Sequence, residues 1–120
     1  MSSSSTPDWP DAAEIEIQPE AVSALQQAGT TFRLIDCREP DEWQTTRIEG
    51  AELLPLSDFG ARYAEVLATP SERIVIHCHH GMRSAKATLF LRQKGYPNVW
   101  SMARGIEGWS LEVDPTVPRY

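Results

Sequence analysis

Residues 72–84 read Glu-Arg-Ile-Val-Ile-His-Cys-His-His-Gly-Met-Arg-Ser, and this stretch decides the fold. Its first half contains the unbroken apolar run Ile74-Val75-Ile76, which is typical of a central parallel strand covered on both faces. Its second half, residues 78–84, is polar and contains a glycine, as a tight loop does. Residues 85–94 are rich in strong helix formers and stop at Gly95. The stretch therefore predicts a strand, a loop and a helix in succession.

Strand-like and helix-like segments alternate on both sides of this unit. The apolar periodicity predicts further strands at residues 15–18, 31–37, 51–56 and 98–102, and helices at residues 20–28, 41–46 and 57–68, with a short helix or turn at 105–109. This alternation indicates a three-layer α/β domain, in which helices flank a mainly parallel central sheet.

The chain divides into one domain and two tails. Residues 1–13 are rich in Ser, Thr, Pro and Asp around a lone Trp9, a composition that predicts a disordered N-terminal tail. Residues 14–112 form the predicted domain, and the Pro-containing residues 113–120 form a C-terminal tail. A chain of 120 residues buries roughly 65% of the surface that its unfolded form exposes, enough for a core without disulfides or a structural metal.

Charge and hydropathy exclude several classes of partner. The net charge is −6, and no Lys/Arg cluster is present, which argues against binding a nucleic acid or an anionic membrane. The apolar runs are too short for a membrane-spanning helix, and the first residues lack the features of a secretory signal. We therefore expect a cytoplasmic protein, whose two cysteines stay reduced.

Cys78 is the candidate nucleophile. It lies between a buried strand and a helix, where backbone N–H groups and the helix dipole stabilise an anion, so its thiolate is expected near neutral pH. Arg83 supplies a planar fork of donors suited to an oxyanion or a sulfonyl group. Gly81 lets the loop curl tightly, and Ser84 is expected to cap the helix through its hydroxyl.

Five motifs in order resemble the signatures of the rhodanese (thiosulfate sulfurtransferase) family, in its single-domain form. They are Leu34 to Trp43 with its Asp-Cys-Arg-Glu-Pro core, Ile48 to Ala51 with Pro55, the Cys78 to Ser84 loop, Gly95 to Val99, and Gly105 to Trp109. The resemblance covers residues 14 to about 112 and implies the family's α/β fold. Arg47 departs from the pattern, since many members carry His there, and we expect this difference to affect packing rather than chemistry.

The resemblance implies a sulfurtransferase with Cys78 and Arg83 as catalytic residues. Cys78 would take the outer sulfur of thiosulfate or another sulfane donor, become a persulfide, and pass the sulfur to cyanide or a thiol. The substrate-binding loop would comprise His79, His80, Gly81, Met82 and Ser84. No metal and no organic cofactor are implied. The partners are thus a small sulfur-containing anion and its acceptor, with a sulfur-relay protein as a further possibility.

Two alternatives remain open at this stage. The first is a phosphatase or an arsenate reductase on the same fold, which the six-residue Cys-x4-Arg loop disfavours, because related phosphatases resemble a wider Cys-x5-Arg cradle. The second is a regulatory protein-interaction module that carries a persulfide received from a partner protein.

The remaining polar residues have more ordinary interpretations. Asp36 and Arg38 are expected to form a structural ion pair that supports the loop. The favoured interpretation of Cys37 is a packing residue in the core or at the surface. The alternative is a resolving thiol near Cys78. The run His77-Cys78-His79-His80 does not favour a metal site, because adjacent side chains diverge.

Overall fold

The structure is a computed structural model that describes residues 9–120. Its strands are β1 (Glu16–Ile17), β2 (Arg33–Asp36), β3 (Glu52–Leu53), β4 (Ile74–His77) and β5 (Val99–Met102). Its helices are α1 (Pro19–Gln27), α2 (Pro40–Thr45), α3 (Leu56–Val66), α4 (Met82–Gln93) and α5 (Gly105–Glu112). The alternation of strands and helices expected from the sequence is confirmed.

The five strands form one parallel sheet in the order β1-β5-β4-β2-β3. Strand β4 is central and fully buried, as its continuous apolar run predicts. In the register of β2 with β4, Asp36 lies beside His77. The carboxyl ends of both strands therefore lie at one edge of the sheet, which is where an open α/β sheet places its site.

The sheet separates two hydrophobic cores, because successive side chains of a strand point to opposite faces. One core contains Ile35, Ile74 and Ile76 from the sheet together with residues of α3 and α4, including Phe59, Ala87 and Leu91. The other contains Leu34, Val75 and Trp100 together with residues of α1 and α5, including Val22, Leu25, Ile106 and Trp109. The three-layer α/β class expected from the sequence is confirmed.

The start of α4 corrects one expectation. The helix begins at Met82 rather than at residue 85, and Gly81 precedes it with φ +112°, in the region that favours glycine. Ser84 therefore lies inside the first turn and does not cap the helix. Its hydroxyl donates to the carbonyl oxygen of Gly81 instead.

Both predicted tails contain residues that pack on the domain. Residues 1–8 lie outside the described part of the chain, but Trp9 stacks on Trp100 at 5.1 Å and meets the edge of Phe32. At the other end Val117 is buried, and its carbonyl oxygen accepts a hydrogen bond from Ser110. The ordered chain thus extends beyond residues 14–112 on both sides. Within residues 9–120, no helix has both the length and the apolar composition that a bilayer span requires.

A fully buried ion pair stabilises the segment after β2. The Arg38 guanidinium donates to both carboxylate oxygens of Asp36, at 2.7 to 3.1 Å, and to the carbonyl oxygen of Thr46. Neither side chain of the pair is exposed to solvent. Removal of one partner would leave an uncompensated buried charge, which typically destabilises by about 3–5 kcal/mol. The ion pair expected from the sequence is therefore present, and it fixes the chain between β2 and α2.

His77 makes the stability of the fold depend on pH. Its side chain is completely buried, its Nε2 atom has no hydrogen-bond partner among the described residues, and burial lowers its pKa below the ordinary value. The imidazole is therefore neutral in the folded state and binds a proton in the unfolded chain below about pH 6.5. The unfolded state thus gains stability as the pH falls through that range.

We predict that His77 lowers the free energy of unfolding as the pH falls from 7.5 to 5.5, because its pKa is lower in the folded state than in the unfolded chain. Urea denaturation of the wild type and of His77→Val at both pH values measures this contribution. The variant should lose less stability than the wild type over the interval. An identical pH dependence in the two proteins would show that His77 does not titrate on unfolding.

Candidate active site

The Cys78 loop wraps around its own sulfur atom. The N–H groups of Gly81 and Ser84 donate to Cys78 Sγ at 3.1 and 3.4 Å, and the Ser84 hydroxyl lies 3.5 Å from it. The first N–H groups of an α-helix have no partner within the helix, and here the N–H of Ser84 points to the sulfur. The sulfur therefore occupies the positive end of the α4 dipole.

These contacts stabilise the thiolate form of Cys78. A hydrogen bond from the Cys37 thiol has the largest effect, and the hydroxyl and N–H of Ser84 and the N–H of Gly81 add to it. Together they outweigh burial and lower the pKa of the Cys78 thiol to about 4. The pKa of Cys37 is raised instead, because its thiol is the donor to Cys78 and is itself buried. The backbone N–H groups donate hydrogen bonds only to Cys78, which therefore carries the negative charge.

The N-terminus of α5 supports the loop from below. The N–H groups of Ile106 and Glu107 donate to the carbonyl oxygens of Cys78 and His79 at 2.8 and 3.1 Å. Gly105 has φ +56°, and a Cβ atom at this position would clash with the same two carbonyl oxygens. This support fixes the carbonyl groups of the loop. The sequence predicts a short helix or turn that begins at Gly105, and the glycine itself is the visible signal of this close approach.

A small pocket of about 220 Å³ opens beside the sulfur. It is lined by Cys78, His79, His80, Met82 and Arg83. Most of the loop residues expected from the sequence thus line one opening. Gly81 and Ser84 do not line it, but both form hydrogen bonds with the sulfur. The pocket has the size of a small anion or of an extended side chain, not of a large cofactor.

Arg83 lines the pocket but is not a free cation. Its two terminal nitrogens donate to the two carboxylate oxygens of Glu42 at 2.7 and 2.9 Å, a bidentate pair. This bond to Arg83 is the main reason that the pKa of Glu42 falls to about 2. Glu42 therefore remains charged and offsets much of the charge of Arg83. Glu42 is not among the site residues expected from the sequence, because its distance along the chain from Arg83 gives no signal of contact.

Tyr120 covers one side of the loop. Its ring stacks on His79 with centroids 3.9 Å apart, and His79 stacks on His80 at 3.8 Å. Its hydroxyl donates to Glu42 and accepts from Arg38 at 2.7 and 2.9 Å. The segment expected to be a tail therefore contributes a side chain that packs on His79, a residue of the pocket, and the composition of residues 113–120 gave no sign of this.

His79 and His80 also form the one cluster of possible metal ligands found among residues 9–120. Their ring nitrogens and a carboxylate oxygen of Glu107 lie within 4.8 Å of one another. The two rings are stacked, however, and the Glu107 carboxylate already accepts two hydrogen bonds from Arg119. A metal ion at this point would compete with the Arg119–Glu107 pair and with the stacking of the two rings. His77 points away into the core and takes no part in the cluster.

We predict that Cys78 reacts with iodoacetamide as a thiolate at every pH above about 5, because its pKa is about 4. Its alkylation rate should change less than twofold between pH 6 and pH 8, where an ordinary thiol accelerates about 75-fold. Peptide mapping would place the label on Cys78 and not on the buried Cys37. A rate that rises continuously through this range would contradict the stabilised thiolate.

Comparisons with known proteins agree with this geometry. The model of the family described as Rhodanese-like domain matches residues 18–112. The thiosulfate sulfurtransferase GlpE of Haemophilus influenzae is 33% identical over 104 residues, which cover 84% of this chain and 95% of that protein. The probable adenylyltransferase/sulfurtransferase MoeZ of Mycobacterium tuberculosis is 28% identical over 104 residues, 87% of this chain. The match spans only 26% of the length of MoeZ.

A solved structure supports the same assignment. The rhodanese-related protein of Thermoplasma volcanium superimposes with a TM-score of 0.73 at 26% sequence identity, and the match covers 88% of this chain and 99% of that one. The fold agrees with the extent of the family match, and so does the loop between β4 and α4. The chain belongs to the rhodanese-like domain family.

Proposed function

We propose that this protein is a sulfurtransferase that carries sulfane sulfur as a persulfide on Cys78, with thiosulfate as a donor. The observation that carries the proposal is the position of Cys78 Sγ, held by the N–H groups of Gly81 and Ser84 beside a pocket of about 220 Å³. The relative named thiosulfate sulfurtransferase, which matches over 84% of this chain, supports the same chemistry.

The first half-reaction is a nucleophilic displacement at sulfur. The Cys78 thiolate attacks the outer sulfur of thiosulfate, a sulfur–sulfur bond forms, and sulfite leaves with the electron pair of the broken bond. No general base is needed, because the nucleophile is already ionised. The charge moves from Sγ to the new outer sulfur, which stays within the positive end of the α4 dipole and close to the loop amides.

The second half-reaction returns the thiolate. Cyanide or a thiolate attacks the outer sulfur of the persulfide, and Cys78 leaves as the stabilised anion. The low pKa of Cys78 favours this step as well, since a weakly basic thiolate is a good leaving group. One set of hydrogen-bond donors therefore serves both halves of the reaction.

Arg83 would orient an anionic donor with the N–H groups that Glu42 leaves free. A guanidinium has five donors, and Glu42 accepts from two of its nitrogens. Glu42 holds the guanidinium at the mouth of the pocket but also weakens its attraction for a dianion. A neutral or protein-bound persulfide would be repelled less by Glu42 than thiosulfate is, so a sulfur-relay protein belongs among the proposed donors.

We also propose that the protein works in a reducing compartment such as the cytoplasm, because both cysteines are free thiols.

We predict that the wild type, incubated with thiosulfate, desalted and measured at once, gains the mass of one sulfur atom and releases an equivalent of sulfite. Intact-protein mass spectrometry and a sulfite assay measure the two products. Cys78→Ser should show neither, whereas Cys37→Ser should gain the sulfur. A gain of sulfur by Cys78→Ser, or its absence from both Cys78-containing proteins, would overturn the proposal. Turnover of an aryl phosphate without any use of thiosulfate would favour a phosphatase instead.

We predict opposite effects from the two members of the Arg83–Glu42 pair. Arg83→Gln should raise the KM for thiosulfate about tenfold or more, since a charged hydrogen bond to an anion contributes about 1.5–3 kcal/mol. Glu42→Gln should lower this KM, because it removes a negative charge beside the donor. Arg62→Gln is the matched control, since Arg62 forms an exposed pair with Glu65 on α3.

Steady-state kinetics at low ionic strength, together with thermal unfolding of each variant, measure these effects. Arg83→Gln should affect the use of thiosulfate far more than it affects the unfolding temperature. An unchanged KM in a folded Arg83→Gln protein would remove Arg83 from the proposed site.

A further inference from the structure

Cys37 lies next to Cys78 at the edge of the sheet where β2 and β4 end. The parallel register of the two strands pairs Asp36 with His77, and the N–H of Cys37 continues the ladder by donating to the carbonyl oxygen of His77 at 3.0 Å. One residue further along, Cys37 and Cys78 are neighbours across the ladder. Both side chains belong to the core cluster between the sheet and the helices α3 and α4.

This placement meets the distance requirement of a disulfide. Neighbouring strands are about 4.8 Å apart, and the Cα atoms of bonded cysteines lie about 4.4–6.8 Å apart. Side chains at paired positions of a parallel ladder point to the same face, and the two thiols here are close enough to shift each other's pKa. A bond between them would thus need little movement of the backbone.

The two sulfur atoms differ in access. The pocket beside Cys78 is lined by loop residues, and Cys37 is not among them. Cys37 is 0% exposed and Cys78 is 1% exposed. The pocket therefore opens onto Cys78, whereas Cys37 lies in the buried core and does not line it. Cys37 cannot act on the donor, but it is placed to act on what Cys78 carries.

We propose that Cys37 is a resolving thiol that discharges the Cys78 persulfide as sulfide. The inference rests on the persulfide of the proposed function. The sulfur of Cys37 attacks Cys78 Sγ, the inner sulfur of the persulfide, and the Cys37–Cys78 bond forms as the bond to the outer sulfur breaks. The outer sulfur leaves with that electron pair and takes the proton of Cys37, so that hydrosulfide is released.

The electron balance needs no external oxidant. The sulfane sulfur is reduced to sulfide, and the two cysteine sulfurs are oxidised to a disulfide. A dithiol then returns the protein to its reduced form by thiol–disulfide exchange. The protein would in this way convert thiosulfate and a dithiol into sulfite, sulfide and an oxidised dithiol.

The reactivity of Cys78 toward Cys37 changes when the sulfur atom is transferred. Before sulfur transfer, the Cys37 thiol lies beside the Cys78 thiolate. A thiolate is not attacked by a nucleophile, so no reaction occurs between them at this stage. After transfer, Cys78 Sγ is a neutral disulfide-type sulfur and becomes electrophilic, and the charge has moved to the outer atom. Because both groups are held in contact, the step has the advantage of an intramolecular reaction.

The test follows the persulfide after removal of thiosulfate under anaerobic conditions. The wild type should lose the added sulfur, release sulfide, and end lighter than the reduced protein by two hydrogen atoms. Proteolytic mapping should find the peptides of Cys37 and Cys78 joined. Cys37→Ser should hold its persulfide about tenfold longer or more, since a hydroxyl cannot resolve it. Cys37→Ala controls for the hydroxyl.

The outcomes separate the two proposals. A wild-type persulfide that is as long-lived as that of Cys37→Ser, with no joined peptides, overturns the role of Cys37 but leaves the sulfurtransferase intact. A disulfide that appears without thiosulfate, or one between two chains, also overturns it. If neither protein gains sulfur at all, the persulfide of the proposed function fails, and this inference fails with it.

Discussion

The negative charge on the buried sulfur of Cys78 is the constraint on which the site depends. An ion removed from water requires donors, and the sulfur receives them from the N–H groups of Gly81 and Ser84. The left-handed conformation of Gly81 turns the chain so that both groups face inward. The helix α5 then holds the carbonyl groups of Cys78 and His79 on the opposite side, which its glycine at position 105 permits.

The backbone supplies the positive potential of the pocket more than the side chains do. The chain has a net charge of −6, and the nearest cation, Arg83, is paired with Glu42. A local field made of N–H groups and a helix terminus acts over a short range, so it stabilises an anion bonded to Sγ better than it attracts one from solution. The site is thus better suited to hold a persulfide than to collect a free dianion.

Much of the fold could be predicted from the sequence, because its determinants are local. The run Ile74-Val75-Ile76 identifies the central strand, and the glycine and helix formers after Cys78 identify the loop and its helix. The partners of these residues could not be found in the same way. Glu42 and Tyr120 meet each other, and contact the pocket residues Arg83 and His79, only after folding brings distant segments together.

The cysteine at position 37 illustrates the same limit. Its place after a buried strand suggested proximity to Cys78, but a filler and a resolving thiol have the same local sequence. Only the pairing of β2 with β4 shows that Cys37 lies next to Cys78 and outside the lining of the pocket. Trp9 is a comparable case, since a polar surrounding sequence hides an aromatic side chain that packs on Trp100.

The central claim is that the loop after β4 holds a sulfur atom on Cys78. A crystal structure of Cys37→Ser protein treated with thiosulfate tests it most directly. The account predicts one additional sulfur bonded to Cys78 Sγ, located in the pocket with His79, His80, Met82 and Arg83, and within hydrogen-bond distance of loop N–H groups. An unmodified Cys78, or an added sulfur that points away from the loop amides, would contradict it.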